Sequence, residues 1–199
     1  MKSPGFRIAA LLLAVAAAGL VAGVGLVAAA GSEAPGTYSA EPVRSRLEFY
    51  GKQAGAEFQG VFHRFTAVIE FSPDALATAH FDVQIDSGSL DSQDNDRDST
   101  MRSADIFDIG HFPTAHYVTR GFTKTAAGFR ALGALTLRGV TKDVPVDFQF
   151  AATPGGAKLD GTASLNRLDF GVGQGDWKST ESVDNAVRVK FSLALAPKP

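Results

Sequence analysis

The strongest constraint in this chain is period-two alternation of apolar and polar residues, repeated in segment after segment. In residues 143–150, Val144, Val146, Phe148 and Phe150 share one face, and Asp143, Asp147 and Gln149 share the other. Pro145, on the polar side, marks an edge position or a bulge, because proline has no N–H for a ladder. The same pattern runs through 65–71 (Phe65, Ala67, Ile69, Phe71), 81–86 (Phe81, Val83, Ile85), 129–137 (Phe129, Ala131, Gly133, Leu135, Leu137), 159–165 (Leu159, Gly161, Ala163, Leu165) and 187–195 (Val187, Val189, Phe191, Leu193, Leu195). Weaker alternation covers 44–50 and 114–122. One-sided strands with short turn-rich connections pair antiparallel. Eight of them predict an all-β fold, an extended eight-stranded antiparallel barrel or a sandwich.

Ahead of the strands, a basic start (Lys2, Arg7) leads into an uncharged run of 23 residues, Ile8 to Ala30. This is the layout of a secretory signal peptide over residues 1–30. The run is also long enough to stay in a bilayer as an N-terminal anchor. Either reading exports the rest, to the periplasm. Residues 31–36 read as a linker and 37–199 as the barrel domain. With Lys2 and Arg7 gone, 17 of the 19 basic residues face 21 acids. That balance argues against a nucleic-acid partner, which needs a basic patch. The chain has no cysteine, which excludes disulfides, thiolate nucleophiles and cysteine-bound metals.

The inward faces mix large residues with small ones: Ala67, Ala131, Gly133, Gly161 and Ala163. Small residues there either leave a lumen for a ligand or permit strand bending and close packing. Fifteen phenylalanines and one tryptophan supply apolar lining. Catalytic groups are sparse. His111 and His116 lie five apart across Pro113, which is not a helical ligand spacing, and nothing fixes a third ligand. No serine sits in a nucleophile elbow. The glycines of 171–175 lack the strand and helix of a phosphate motif and read as a flexible loop, with Trp177 closing over an apolar opening. Neither a metal, a cofactor nor a catalytic residue is expected.

The stretch DNDRDSTMRSADIFD, residues 94–108, is the one long connection. As a calcium loop it places Asp94, Asp96 and Asp98 at positions one, three and five and Asp105 at twelve. However, Ser99 stands where the sharp turn needs glycine, and position twelve wants glutamate. As a catalytic acid pair it has no partner nucleophile or base. The remaining reading is a polar turn into a short helix, a lid segment around 92–109. Asp98 or Ser99 would cap it, Met101, Ile106 and Phe107 would face inward, and Arg97 and Arg102 would stay in water or pair with acids.

Several stretches together resemble the YceI family. Residues 95–108 are similar to its "RD-x-x-L-R-S-x-D-F-F-D" signature, with Thr100 where histidine is common and Ile106 in place of the first phenylalanine. His111-Phe112-Pro113, Leu135 to Val144, Asn166 to Gly173 and Gly60 to Phe65 resemble the family's other motifs in the same order, over about residues 37–196. The resemblance implies a lipocalin-like barrel that holds a polyisoprenoid lipid or an isoprenoid quinone, with no enzymatic activity. It also raises a cytochrome b561-type membrane protein as a partner. On this reading the lumen is lined by Phe65, Ile69, Phe81, Val83, Ile85, Phe129, Leu135, Val146, Phe148, Leu165, Val189 and Phe191. The lid or mouth is formed by His63, Arg97, Met101, Arg102, Phe107, Phe112, Phe170 and Trp177. Two other classes stay open: an interaction module with a filled barrel, and an enzyme acting on a small apolar substrate.

Overall fold

A computed structural model describes residues 36–198; the predicted signal peptide or anchor lies outside the described residues. Eleven strands occur in the order β1 (Gly36–Ala40), β2 (Arg46–Gln53), β3 (Ala56–Phe62), β4 (Phe65–Phe71), β5 (His80–Asp86), β6 (Leu90–Asp91), β7 (Thr114–Thr125), β8 (Gly128–Leu137), β9 (Val140–Thr153), β10 (Gly156–Asn166) and β11 (Ala186–Pro197). All pair antiparallel. The chain meanders from β4 through β5, β7, β8, β9 and β10 to β11, which closes the ring by pairing with both β1 and β2.

Eleven strands occupy eight barrel positions because three long arms are interrupted, one of them being β5 and β6, which are separated by the 3-10 turn Ser87–Ser89 and of which β6 pairs β3. β1 and β2 form one arm, broken by a 3-10 turn at Pro42–Arg44. β3 and β4 form the next, broken after Phe62; β2 pairs β3 and β1 pairs β4. The fold is thus the predicted eight-stranded antiparallel barrel. The weak strand at 44–50 extends further than its alternation indicated, and Gly36, assigned to the linker, opens β1. Arg44 belongs to the 3-10 turn. β3 carries apolar Phe58 and Phe62 but places Gly60 between them, so its period was not seen.

Two hairpin turns use left-handed backbone at two successive residues. The β2–β3 hairpin turns at Ala54–Gly55 (φ 49° and 80°) and the β8–β9 hairpin at Arg138–Gly139 (φ 50° and 74°). Both have positive φ at both central residues, the conformation whose twist matches a β-hairpin. Pro145 does more than mark an edge. β9 pairs β8 along its length through Leu132 opposite Pro145. Its ladder with β10 ends at Val146 opposite Ala163. Beyond that point β9 and β10 diverge, since Pro145 has no N–H to continue.

The barrel interior divides into two apolar layers. At the end holding the β4–β5, β7–β8 and β9–β10 turns, Phe71 lies at the centre of an aromatic cluster. Its ring centroid is 5.0 Å from Phe129 and from Phe150, 5.2 Å from Phe148, 5.8 Å from Phe122 and 5.9 Å from Phe81. Edge-to-face and tilted arrangements at these separations suit the ring quadrupoles. This layer is solid, and it includes Ala67 and Ala131, both fully buried. At the other end, Phe49, Leu90, Met101, Ile106, Leu135, Val144, Phe170 and Val172 form a second layer around an open space.

The inward glycines do not leave that space empty. Gly161 stands directly opposite Phe191, Gly60 opposite Phe49 and Gly51 opposite Phe58. A Cβ at any of them would collide with the ring that crosses it. Gly133 does the same for Tyr117, whose ring passes over it so that the hydroxyl donates to the Val144 carbonyl at 3.1 Å, joining β7 to β9 across β8. Of the two readings of the small residues, close packing therefore holds for Gly133, Gly161, Ala67 and Ala131. Glycine gives up its own side chain so that a neighbouring aromatic can lie flat on the strand. Only Ala163 among the five faces the cavity.

Candidate functional site: an apolar lumen with an acidic rim

The helix α1 (Asn95–Arg102) crosses the open end. It is shorter than the predicted 92–109 segment; hydrogen-bonded turns continue it to Phe112. Its cap is Asp94, not Asp98 or Ser99. The Asp94 carboxylate accepts from the backbone N–H of Asp96 at 3.1 Å and of Arg97 at 3.0 Å. Asp98 is instead buried and accepts from both the N–H (2.9 Å) and the hydroxyl (2.6 Å) of Ser92, which pins the helix to the chain entering it. Arg97 donates to Ser92 Oγ at 2.9 Å and Ser92 O at 3.0 Å, and its guanidinium lies 4.7 Å over the Phe58 ring. Two of the acids of the opening stretch are thus spent on holding a lid helix in place.

The second side of the opening is the loop between β10 and β11. It is not the flexible segment its glycines suggested. Arg167, only 5% exposed, directs all five of its N–H donors at backbone carbonyls: Asp184 (3.0 Å), Val172 (3.0 Å), Trp177 (2.7 Å), Ser179 (3.0 Å) and Val183 (2.9 Å). No carboxylate is among them, and burial lowers the guanidinium pKa. Gly173, at φ 113°, must lack a side chain because the guanidinium lies where its Cβ would be. The loop is further joined to the β2–β3 hairpin, where Ala54 N–H donates to Ser182 O and Asp184 N–H to Lys52 O. It also meets the turn after α1, where the N–H groups of Gly173 and Gln174 donate to Asp105 O.

Between α1, this loop and the hairpin opens a cavity of about 460 Å³ that reaches down to Ile69, Phe81, Leu159 and Leu193. Ten of the twelve predicted lumen residues line it: Phe65, Ile69, Phe81, Val83, Ile85, Leu135, Val146, Leu165, Val189 and Phe191. The exceptions are Phe129 and Phe148. Their rings stack 5.5 Å apart in the solid aromatic layer. Alternation gave them the right face but not the right depth, and they form the floor beneath the cavity.

Of the mouth residues, Arg97, Met101, Phe107 and Trp177 line the cavity; His63, Arg102, Phe112 and Phe170 do not. His63 is exposed and its Nε2 lies 3.1 Å from the Asp91 carboxylate. Arg102 turns away from the opening and donates to the carbonyls of Gly88 and Leu90. Phe112 packs outside, against the Gly139 turn. Phe170 is buried in the wall. It lines a separate slot of about 240 Å³ where β9 and β10 diverge, together with Pro145, Val144 and Leu165. Val144 and Leu165 line both this slot and the lumen, so the wall there is one residue thick and Phe170 plugs it.

Lining residues that the sequence reading missed include Leu47, Phe49, Phe58 and Phe62 on the interrupted arms, Tyr117, and the acids Asp94, Asp96 and Asp184 at the rim. The alternation of Leu47, Phe49 and Gly51 was a usable signal for the first arm. Burial raises the Tyr117 phenol pKa, with a further push from Asp143, so it stays protonated and bonded to Val144. Among the described residues no histidine or lysine lines the cavity, no group of three side chains is placed to hold a metal ion, and no helix is long and apolar enough to cross a membrane.

Comparison with known proteins gives a consistent picture. The model of the YceI-like domain family matches residues 38–195. A UPF0312 protein of Vibrio vulnificus is 31% identical over 134 residues, covering 63% of this chain and 71% of the relative. The crystal structure of Burkholderia cenocepacia BcnA superposes with a TM-score of 0.74 at 29% identity, over 79% of this chain and 99% of that one. A polyisoprenoid binding domain from Saccharophagus degradans shares the fold with a TM-score of 0.62 at 15% identity, over 81% of this chain and 98% of the domain. With a single family model spanning the barrel from β1 to β11, the chain belongs to the YceI family.

Proposed function

We propose that this protein is an exported carrier that holds a polyisoprenoid chain, as a prenyl lipid or as the tail of an isoprenoid quinone, inside the barrel. The observation that carries the reading is the lumen itself: a cavity of about 460 Å³, walled almost wholly by aliphatic and phenylalanine side chains and open at one end. A filled interaction module has no use for such a space, and its lining would lose dispersion contacts. The solved domain described as polyisoprenoid binding has the same fold, which supports the choice of ligand class. A bound prenyl chain is held by burial, at roughly 25 cal/mol per Å² of apolar area removed from water. Such a chain crosses water poorly on its own, so a carrier meets a physical need, whether for transport, storage or sensing.

Two polar groups of the lining are already engaged within the protein. The Tyr117 hydroxyl is bonded to Val144 and the Arg167 donors are used within the protein. The test is mass spectrometry of the organic extract of protein purified under mild conditions from the periplasm of its host. A stoichiometric prenyl lipid or quinone is expected. An empty extract, together with no uptake of added quinone or prenyl alcohol, would refute the carrier reading.

A further inference from the structure

We infer that the lumen takes prenyl lipids with an uncharged headgroup and discriminates against phosphate and diphosphate esters of the same chain. The inference rests on the carrier reading and adds the class of headgroup. A prenyl tail in the apolar shaft leaves its headgroup at the rim, where the polar lining residues gather. Three carboxylates stand there: Asp94 and Asp96 at the start of α1, and Asp184 on the strand-like approach to β11. Facing them are two guanidinium groups, each already engaged within the protein. Arg167 spends every donor on loop carbonyls. Arg97 is bonded twice to Ser92, rests on Phe58, and keeps its remaining nitrogen 3.7 Å from Asp94.

An anionic headgroup needs donors or positive charge. The N-terminus of α1, a site of the kind that supplies both, is already occupied by the Asp94 carboxylate. Lys52 and Lys178 are neighbours in sequence of Gln53 and Trp177, but they are exposed and neither lines the opening. A phosphate at this rim would therefore meet three carboxylates against two guanidinium groups already engaged within the protein, a rim of net negative charge. Juxtaposed like charges work against a ligand. A hydroxyl or carbonyl headgroup meets no such penalty. A hydroxyl can donate to a rim carboxylate, and a quinone carbonyl can accept from the Gln53 amide.

The test uses the full chain and its single tryptophan. Because Trp177 lines the mouth, its emission reports occupancy. Geranylgeraniol and geranylgeranyl diphosphate are titrated separately at low and high ionic strength. The alcohol is expected to bind at least about tenfold more tightly at low salt, with the ratio narrowing as salt screens the rim. Asp96→Lys and Asp184→Lys, alone and together, are expected to shrink the ratio further. Equal binding of the two ligands, or a preference for the diphosphate, overturns the headgroup inference and leaves the carrier reading standing. Binding of neither ligand overturns both. A ratio that the two substitutions do not move overturns the assignment of selectivity to these carboxylates.

Discussion

Replacing Arg167 with methionine keeps an unbranched apolar stem and removes five N–H donors at once. Each donates to a backbone carbonyl at 2.7–3.0 Å. Hydrogen bonds from a charged donor contribute about 1.5–3 kcal/mol each, which summed naively exceeds what one loop can be worth. The sum is not realised, because the loop of residues 171–185 can open and give its carbonyls to water. The cost is then capped by the free energy of local opening. A loss of about 3 kcal/mol is the reasoned value. At roughly 2–4 °C per kcal/mol for a domain of this size, that is a fall of about 6–12 °C in Tm. Arg167→Lys should recover only part of it, since an ammonium has three donors and cannot span five acceptors. Thermal unfolding by circular dichroism gives the total. Amide hydrogen exchange shows where it is lost: residues 171–185 should lose protection while β7, β8 and β9 keep theirs. An unchanged Tm with unchanged loop protection would refute the view that this one guanidinium builds the second side of the mouth. Loss of protection spread evenly over the barrel would refute its local character.

Three further substitutions test other parts of the description. Ala163→Phe places a ring in the cavity and should abolish uptake of a prenyl ligand with little change in Tm, measured by ligand extraction and calorimetry; Gly133→Phe is not an equivalent probe, because it must first displace Tyr117 and break its bond to Val144. Gly161→Val should destabilise by about 1–3 kcal/mol through overpacking against Phe191 and Phe148, read from urea denaturation; a neutral result would mean the ring does not need the bare backbone. Phe170→Ala removes the plug between β9 and β10, with an expected loss of about 3–5 kcal/mol and faster exchange of bound ligand in a stopped-flow chase using Trp177 emission.

Much of the architecture was legible because alternation is a direct record of a strand with one wet face. The main runs, such as 143–150 and 187–195, lie in β9 and β11, and their inward residues were placed on the correct face. β3 escaped because its central inward position is Gly60, covered by Phe49 from the partner strand. An apolar pattern cannot show a residue whose apolar surface is lent by its neighbour. The lid was recognisable from Met101, Ile106 and Phe107 beside their polar neighbours, but the cap was misplaced by four residues. Asp94, Asp98 and Ser99 are equally good caps by residue type, and only the bond that the Ser92 hydroxyl donates to Asp98 removes one of them from the choice.

The sequence by itself determined which residues of the main alternating runs face inward, that eight antiparallel positions are present, and that one short helix lies outside the meander. These are local properties, set by side-chain period and turn chemistry. Depth and vacancy were decided only by the tertiary structure. Phe129 and Phe148 carry the same signature as Phe65 and Phe191, yet the first two form the floor and the others line the space above it. Gly133 and Ala163 look alike as small inward residues, yet Tyr117 fills one and nothing fills the other. Arg167 reads as an ordinary polar residue until the loop folds back and surrounds it with carbonyls. The physical reason is common to all three: whether a site is filled or empty depends on which side chains cross from other strands, and closure of the barrel alone brings those strands together.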